Sequence, residues 1–239
     1  MLKKRLLVIP ARGGSKRIPR KNLHRVDGKY VLQRTLETAI KSGLFAKIVI
    51  SSDDDEILSI STALGLEKED RRPDYIADDE ATVTDVLKYE VNRQSSAGVF
   101  FDEIWQLSAF SFLLSTEDLI DISGVASSLP VKSLLIGALE FPVPINWALN
   151  MQSDGSLQPY SVDSLSLPSQ NFKKLYYDSG CFAVFPSKVF ENPNFKVSDL
   201  VMYGYKLPRH KAIDVDEQQD LDTLEYIFLG KQKNENSNI

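Results

Sequence analysis

Thirteen consecutive residues near the start of the chain hold its densest chemistry: Pro10-Ala11-Arg12-Gly13-Gly14-Ser15-Lys16-Arg17-Ile18-Pro19-Arg20-Lys21-Asn22. Gly13 and Gly14 permit tight backbone turns that expose N–H groups. Such a nest of amides can hold phosphate oxygens. Arg12, Lys16 and Lys21 neutralise several negative charges at once, and Ser15 and Asn22 add neutral donors. A polyphosphate, such as the tail of a nucleoside triphosphate, is the ligand this set suits. The loop is neither a G-x4-G-K-[ST] phosphate loop nor a G-x-G-x-x-G dinucleotide turn. A run of cations alone is an ordinary solvated face. The paired glycines, Ser15 and Asn22, placed directly after an apolar strand, are what add a binding function.

A second constellation lies near the other end. In Ile213-Asp214-Val215-Asp216 the two acids alternate by two, so in an extended segment their carboxylates share a face. Two carboxylates together with phosphate oxygens and water make a hard, octahedral Mg²⁺ site. Two exposed aspartates ahead of a helix is the competing reading, and the basic loop favours the metal. With His24 and His210 the only histidines, a histidine-rich zinc site is excluded. Cys181 reads as a small core residue rather than a nucleophile.

These residues need a scaffold. Arg5–Pro10 (RLLVIP) reads as a buried strand and the segment from Ala11 to Leu23 as a loop. Val31–Leu44 carries apolar residues at helical spacing and reaches Gly43 at its end. Lys47–Ser52 predicts a second strand, and Asp54–Leu64 a helix opened by acids that suit its dipole. The order β–loop–α–β–α predicts a parallel sheet with helices on its faces. Right-handed crossovers then put the first loop at the carboxyl edge of the sheet. Further on, Thr82–Asn92 reads as a helix and Asp102–Leu107 as a strand. Ser115–Ser128 reads as a helix capped through Ser115 and Asp118. Ser133–Glu140 and Cys181–Phe185 read as strands, and Asp216–Leu229 as the last helix. Residues 142–175 hold little sustained period and one hairpin signal, Asp154-Gly155. They read as an excursion from the sheet, a lid or a dimer arm. The expected organisation is one domain over 1–230 followed by a polar tail over 231–239.

Composition sets the outer limits. The 239 residues are 43% apolar and 26% charged, so a wholly disordered or low-complexity chain is excluded. No apolar run approaches the roughly 18–20 residues of a membrane span, and Leu6–Pro10 is too short for a signal-peptide core. One cysteine makes no internal disulfide, so a reducing cytoplasm is expected. Net charge is −5. Residues 1–29 hold ten Lys and Arg against the single acid Asp27, which leaves −14 on the rest. One local anion site on an acidic protein fits this better than a track for nucleic acid.

The segment Pro10–Asn22 resembles the signature P-A-R-x-G-S-K-x-x-x-x-K-N of the CMP-N-acylneuraminate synthetase (acylneuraminate cytidylyltransferase) family, and every fixed position is met. Ser51-Ser52-Asp53, Arg71-Arg72-Pro73 with Asp85-Val86-Leu87, and Pro208-Arg209 followed by Ile213–Asp216 and Asp220 resemble later family segments. Phe141–Leu149 and the Asp-x-Gly-x-Phe of Asp178–Phe182 look most like the pseudaminic acid cytidylyltransferase branch. That branch usually reads Asp-Ala-Gly-Gln-Phe, where this chain has Asp178-Ser179-Gly180-Cys181-Phe182. The Pro-Thr-Ser-Pro found after the sialic acid branch's glutamine is here Leu107-Ser108-Ala109-Phe110.

The resemblance implies a three-layer α/β/α, Rossmann-like nucleotidyltransferase fold with a mostly parallel sheet. It implies activation of a nine-carbon α-keto acid sugar of pseudaminic, legionaminic or sialic type by CTP, giving the CMP-sugar and pyrophosphate. Mg²⁺ is the implied cofactor and a homodimer the implied assembly, with residues 142–175 as the arm. Lys21 at the α-phosphate and Arg12 on the triphosphate are the implied catalytic residues. Ala11, Gly13, Gly14, Ser15, Lys16, Asn22, Ser52 and Asp53 are implied on the nucleotide, with Arg71 or its neighbour Arg72, of which Arg71 is assigned. Gln106, Tyr177 and Asp178 are implied on the sugar, with Trp147 and Phe182 as candidate apolar wall, and Asp214 and Asp216 on the metal. The alternatives are a nucleotidyltransferase for another keto-sugar such as Kdo, and a non-catalytic nucleotide sensor on the same fold.

Overall fold

A computed structural model describes residues 3–237 of the chain. The elements run β1 (Arg5–Pro10), β2 (Arg25–Val26), β3 (Lys29–Tyr30), α1 (Val31–Ser42), β4 (Lys47–Ser51), α2 (Asp55–Ala63) and α3 (Val83–Ser96). They continue with β5 (Glu103–Leu107), α4 (Thr116–Ser128), β6 (Ser133–Glu140), β7 (Leu149–Met151), β8 (Leu157–Pro159), β9 (Tyr176–Pro186), β10 (Val201–Lys206) and α5 (Gln218–Ser237).

Six of these strands form one sheet in the order β10-β6-β9-β5-β1-β4. β1 pairs parallel with β4 and β5, and β6 parallel with β10. β9 alone runs against its neighbours β5 and β6. The sheet is therefore mostly parallel and Rossmann-like, with apolar clusters on both faces. β1 shows why. Leu7 and Ile9 join one cluster with α1, α2, α4 and α5, while Leu6 and Val8 join the other with α3 and the segment around Phe190 and Phe195. Alternation by two feeds both layers, so a strand buried on both faces reads as continuously apolar.

β1 lies between β4 and β5, and the chain leaves it in opposite directions. It goes first through α1 to β4 and later through α3 to β5. The loops after β1 and β5 diverge at that point and leave a crevice at the carboxyl ends of the strands, where ligands of open α/β sheets bind.

Caps set the element ends. The Asp54 side chain accepts from the N–H groups of Glu56 and Ile57 to start α2. Thr82 with Asp85 and Ser115 with Asp118 form capping boxes at α3 and α4. Several elements differ from the sequence reading, among them the short pair β2 and β3, where no strand was read. β9 begins at Tyr176 rather than Cys181, β10 was not foreseen, and α5 continues to Ser237, so the tail expected to start at Lys231 is helical that far. Residues 238 and 239 lie outside the described residues. The excursion is present: Phe141 N–H bonds to the Leu175 carbonyl (3.0 Å), tying its two ends, and β7 and β8 form a hairpin around Asp154-Gly155.

Candidate active site

The Ala11–Leu23 loop is held from below. Ala11 N–H bonds to the Ser51 carbonyl at 3.0 Å, continuing the β1–β4 ladder. Gly13 N–H donates to Asp53 Oδ1 at 2.8 Å. A methyl at Gly13 would come within 2.7 Å of Asp54 Oδ2 and 2.8 Å of its Cβ, so only glycine lets the loop lie against the start of α2. Asn22 is buried and donates to the Arg12 carbonyl at 2.9 Å, which fixes the loop's two limbs to each other.

Above this frame lies a cavity of about 290 Å³ lined by Arg12, Lys21, Asn22 and Arg72, with Asp78, Asp79, Val83 and Val86 opposite and Ser108, Ala109 and Phe110 from the loop after β5. It occupies the crevice that the topology creates. Lys21 Nζ donates to the Val215 carbonyl at 2.6 Å and lies 3.9 Å from Asp216 Oδ1. It also lies over the Phe110 ring, 5.6 Å from the centroid. Burial lowers the Lys21 pKa from its usual value, outweighing the opposing pull of Asp216 and Asp214. Arg72 is only 5% exposed, its Nε meets no hydrogen-bond partner, and among the described residues its guanidinium pairs with no carboxylate. Burial lowers its pKa as well, against the more distant charges of Asp53 and Glu90. A buried cation without a counterion at a cavity wall is a strong attractor for an anion.

The acidic segment reaches the loop from the far end of the chain. Lys211 Nζ bonds both carboxylate oxygens of Asp118 at 2.7 Å, fastening the turn before it to the N-terminus of α4. The chain then runs through Asp214 and Asp216 outside any helix or strand. The Asp220 carboxylate accepts from the N–H groups of Asp216 and Glu217 and closes the start of α5. Asp216 accepts from Arg17 at 2.5 Å. Asp214 reaches solvent, yet partial burial, followed by the charge of Asp216, raises its carboxyl above the usual range. A side chain at Gly180 would come within 3.4 Å of the Asp214 carboxylate, and Gly180 has φ +64°, so glycine serves both needs where β9 passes the acids. Among the described residues no group of three or more His, Cys, Asp or Glu is arranged to hold a metal. Asp214 and Asp216 are two adjacent hard oxygen donors whose mutual repulsion a divalent cation would relieve. Such a pair suits Mg²⁺, which keeps several waters and takes phosphate oxygens as further ligands.

Several expected residues are used differently. Ser52 has no exposed surface, and its hydroxyl accepts from Asp54 N–H at 3.1 Å. Asp53 is committed to Gly13. Asp53 therefore holds the loop and Ser52 the turn into α2. Arg71 turns away from the cavity, donating to the Asp53 carbonyl and lying 3.6 Å from Asp55. Its neighbour Arg72 takes the cavity wall. Gly14, Ser15 and Lys16 are at the surface of the loop.

On the expected sugar side, Asp178 Oδ1 accepts from Gly180 N–H at 2.9 Å, and Tyr177 packs on Phe141 with ring centroids 4.9 Å apart. The Asp178–Gly180 turn thus lies beside Asp214. Gln106 is buried within β5 and is not part of the cavity wall. Phe182 is a core residue, and Trp147 donates to the Ser164 carbonyl at 3.0 Å and packs against Phe172 inside the excursion. Within the single chain, neither lines the cavity beside Lys21 and Arg72. The sequence reading missed Phe110 and Asp79. Phe110 stands within the stretch that departs from the sialic acid pattern, and Asp79 within the acidic run Asp78-Asp79-Glu80.

A family model described as Cytidylyltransferase matches residues 6–99, from β1 to just past α3. The pseudaminic acid cytidylyltransferase of Campylobacter jejuni serotype O:2 is 32% identical over 94% of this chain and 96% of its own length. The CMP-N,N'-diacetyllegionaminic acid synthase of Legionella pneumophila is 27% identical over 91% of this chain and 90% of its own. Among solved structures, a CMP:2-keto-3-deoxy-manno-octonic acid synthetase complexed with CTP superimposes with a TM-score of 0.68. It covers 95% of this chain and 99% of its own at 16% identity, a likeness of fold.

Proposed function

This chain belongs to the cytidylyltransferase family, and from that premise we propose that it activates a nine-carbon α-keto acid sugar with CTP, releasing pyrophosphate and the CMP-sugar. The observation that carries the reading is the convergence of Arg12, Lys21, Asn22 and Arg72 on one cavity at the crevice of a parallel sheet. The anomeric hydroxyl of the sugar attacks the α-phosphorus in line. A new O–P bond forms, the hydroxyl's proton passes to solvent, the bond to the bridging oxygen breaks, and pyrophosphate departs.

The residues divide the work by position. Lys21 and Arg12 meet the charge that grows on the phosphate oxygens, and Arg72 adds a buried cation with no directly paired carboxylate among the described residues. Amides of Gly14 and Ser15 cradle the polyphosphate, with Lys16 at the outer edge. Phe110 shields Lys21 from water, which strengthens its action on a phosphate. Asp214 and Asp216 are the residues to hold Mg²⁺, which when bound neutralises phosphate charge. Tyr177 and Asp178, beside Asp214, face the sugar. A pseudaminic-type sugar is the favoured substrate, supported by the 32% identity to the Campylobacter enzyme and by the Asp-x-Gly-x-Phe turn beside Asp214.

We also assign a homodimer, with the excursion as its arm, and a cytoplasmic site. The buried, unpaired Cys181 suits a reducing compartment, and no helix among the described residues is long and apolar enough to cross a membrane. No nucleic-acid partner is proposed, because the net positive charge is confined to residues 1–29 and the rest of the chain carries −14.

Pyrophosphate release with CTP and Mg²⁺, offering pseudaminic, legionaminic and N-acetylneuraminic acids in parallel, tests the reading. Turnover is expected, fastest with the pseudaminic acid. Silence with all three beside measurable CTP binding overturns the proposed substrate class and leaves another keto-sugar or a nucleotide sensor.

A further inference from the structure

The cations on the cavity wall and at its edge are not equally available. Arg72 pairs with no carboxylate, whereas Arg12 and Lys16 share one. Arg12 Nη1 donates to Asp79 Oδ1 at 2.8 Å and to the Asp78 carbonyl at 3.0 Å, and Lys16 Nζ pairs with the other oxygen of Asp79. Asp79 lies on the segment between Arg72 and α3, on the cavity wall opposite the glycine loop. Its neighbour prepares the position. Asp78 Oδ1 accepts from the N–H groups of Glu80 and Ala81 at 3.1 and 2.8 Å, so the turn is braced while the Asp79 carboxylate stays free to meet cations. The three partners remain wet: the Asp79 side chain is 47% exposed, Arg12 36% and Lys16 80%. Exposed pairs of this kind are weak and exchange readily.

Building on the cytidylyltransferase reading, we propose that Asp79 is a built-in competitor for the polyphosphate: it holds Arg12 and Lys16 until nucleotide displaces it, and takes them back as pyrophosphate leaves. The chemistry is that of one bivalent oxyanion replacing another. A carboxylate offers two oxygens and one charge. A phosphate chain offers more of both, so it wins the cations when it arrives. Arg72, which has no such rival, provides the first grip. Once the product anion starts to leave, Asp79 reclaims the two outermost cations and weakens its hold. The hydrogen bonds from Lys16 and Arg12 keep the Asp79 carboxyl below the usual range, so the competitor is charged at neutral pH.

Binding of inorganic pyrophosphate and of CTP, each by titration calorimetry without sugar, separates this from the parent reading. Asp79→Asn, with Asp79→Ser as a second neutral variant, is expected to bind pyrophosphate about three- to tenfold more tightly than wild type, as loss of a weak competing pair predicts. Glu80→Gln removes the same charge next door from a side chain outside the pair, and is expected to change binding by less than about twofold. Equal or weaker binding by both Asp79 variants overturns the proposal, and so does a gain no larger than that of Glu80→Gln. A wild-type protein that binds neither CTP nor pyrophosphate instead removes the nucleotide reading itself.

Discussion

Arg71 and Arg72 are adjacent in sequence and opposite in consequence. Arg71 lies at the surface, held by the Asp53 carbonyl and Asp55. Arg72 is buried at the cavity wall with an unpartnered Nε. A buried charge with no directly paired carboxylate costs folding free energy, which a bound anion offsets. Arg72→Met is therefore expected to leave the melting temperature unchanged or raised while weakening CTP binding by about tenfold or more, the scale of a lost charge-assisted contact. Arg71→Met should shift CTP binding by less than about threefold, as surface charges usually do. Calorimetric titration of CTP with a melting curve for each variant checks both. The same pair marks how far residues can be read in one dimension. The loop from Pro10 to Asn22 was legible because glycines, cations and amide donors stand together. Ser52 and Asp53 were legible as belonging to the site region but not as its underside. Which of two neighbouring arginines enters a cavity depends on one step of backbone direction, and nothing in the letters encodes that step.

At the scale of elements, the strands that set the crevice are locked by a charge pair at their starts. Arg5 and Glu103 are register partners in the parallel β1–β5 pair. Arg5 Nε bonds Glu103 Oε2 at 2.8 Å, Lys3 bonds Oε1 at 2.5 Å, and Trp105 adds its indole N–H at 3.3 Å. Burial pushes the Glu103 carboxyl up, but these three donors together outweigh it and leave it below its ordinary value. The folded pKa is depressed, so the stabilisation is present above the unfolded value of about 4.3 and is lost as pH falls through the folded one. Glu103→Gln should cost about 2–3 kcal/mol near neutral pH, because it leaves a buried Arg5 without its counterion. The gap to wild type should narrow as pH drops below about 4.3, and urea melts across that range check it. A gap that is constant with pH would assign the loss to packing. Elements with strong local signals were read well from sequence. RLLVIP, the capping box at Ser115, and the Asp-Gly hairpin all match their elements. β10 was missed because Gly204 interrupts it and Val201 and Met202 face solvent on an edge strand, so alternation carries no burial signal. The end of α5 was missed because KQKNENS has no apolar stripe, although Lys, Gln and Glu are good helix formers.

For the whole molecule, the nucleotide cavity and the excursion pose separate questions. The cavity is walled entirely by residues between Pro10 and Phe110. The excursion, which leaves the sheet after β6 and returns to it at β9, presents an apolar exterior. Met151 and Tyr160 are each 74% exposed and Val162 72%, with Val143 and Leu157 also exposed. Its interior is small, held by the Trp147 bond to Ser164 and the ring contact with Phe172. Single exposed apolar residues need no explanation, but this many on one hairpin and its flanks indicate a covered surface. A second copy of the chain is the occupant we assign, and the consequence separates by site. Replacing Met151 and Tyr160 together by aspartate places charge on that surface, and light scattering should show the dimer falling to a monomer at micromolar concentration. CTP affinity should stay within about twofold of wild type, because distant sites without shared partners behave additively. Turnover should fall if the arm completes the sugar side, so a monomer that binds CTP normally but activates sugar poorly is the expected phenotype. A wild type already monomeric at that concentration would remove the arm's role, and the excursion would then act within its own chain, as a lid over Tyr177 and Asp178.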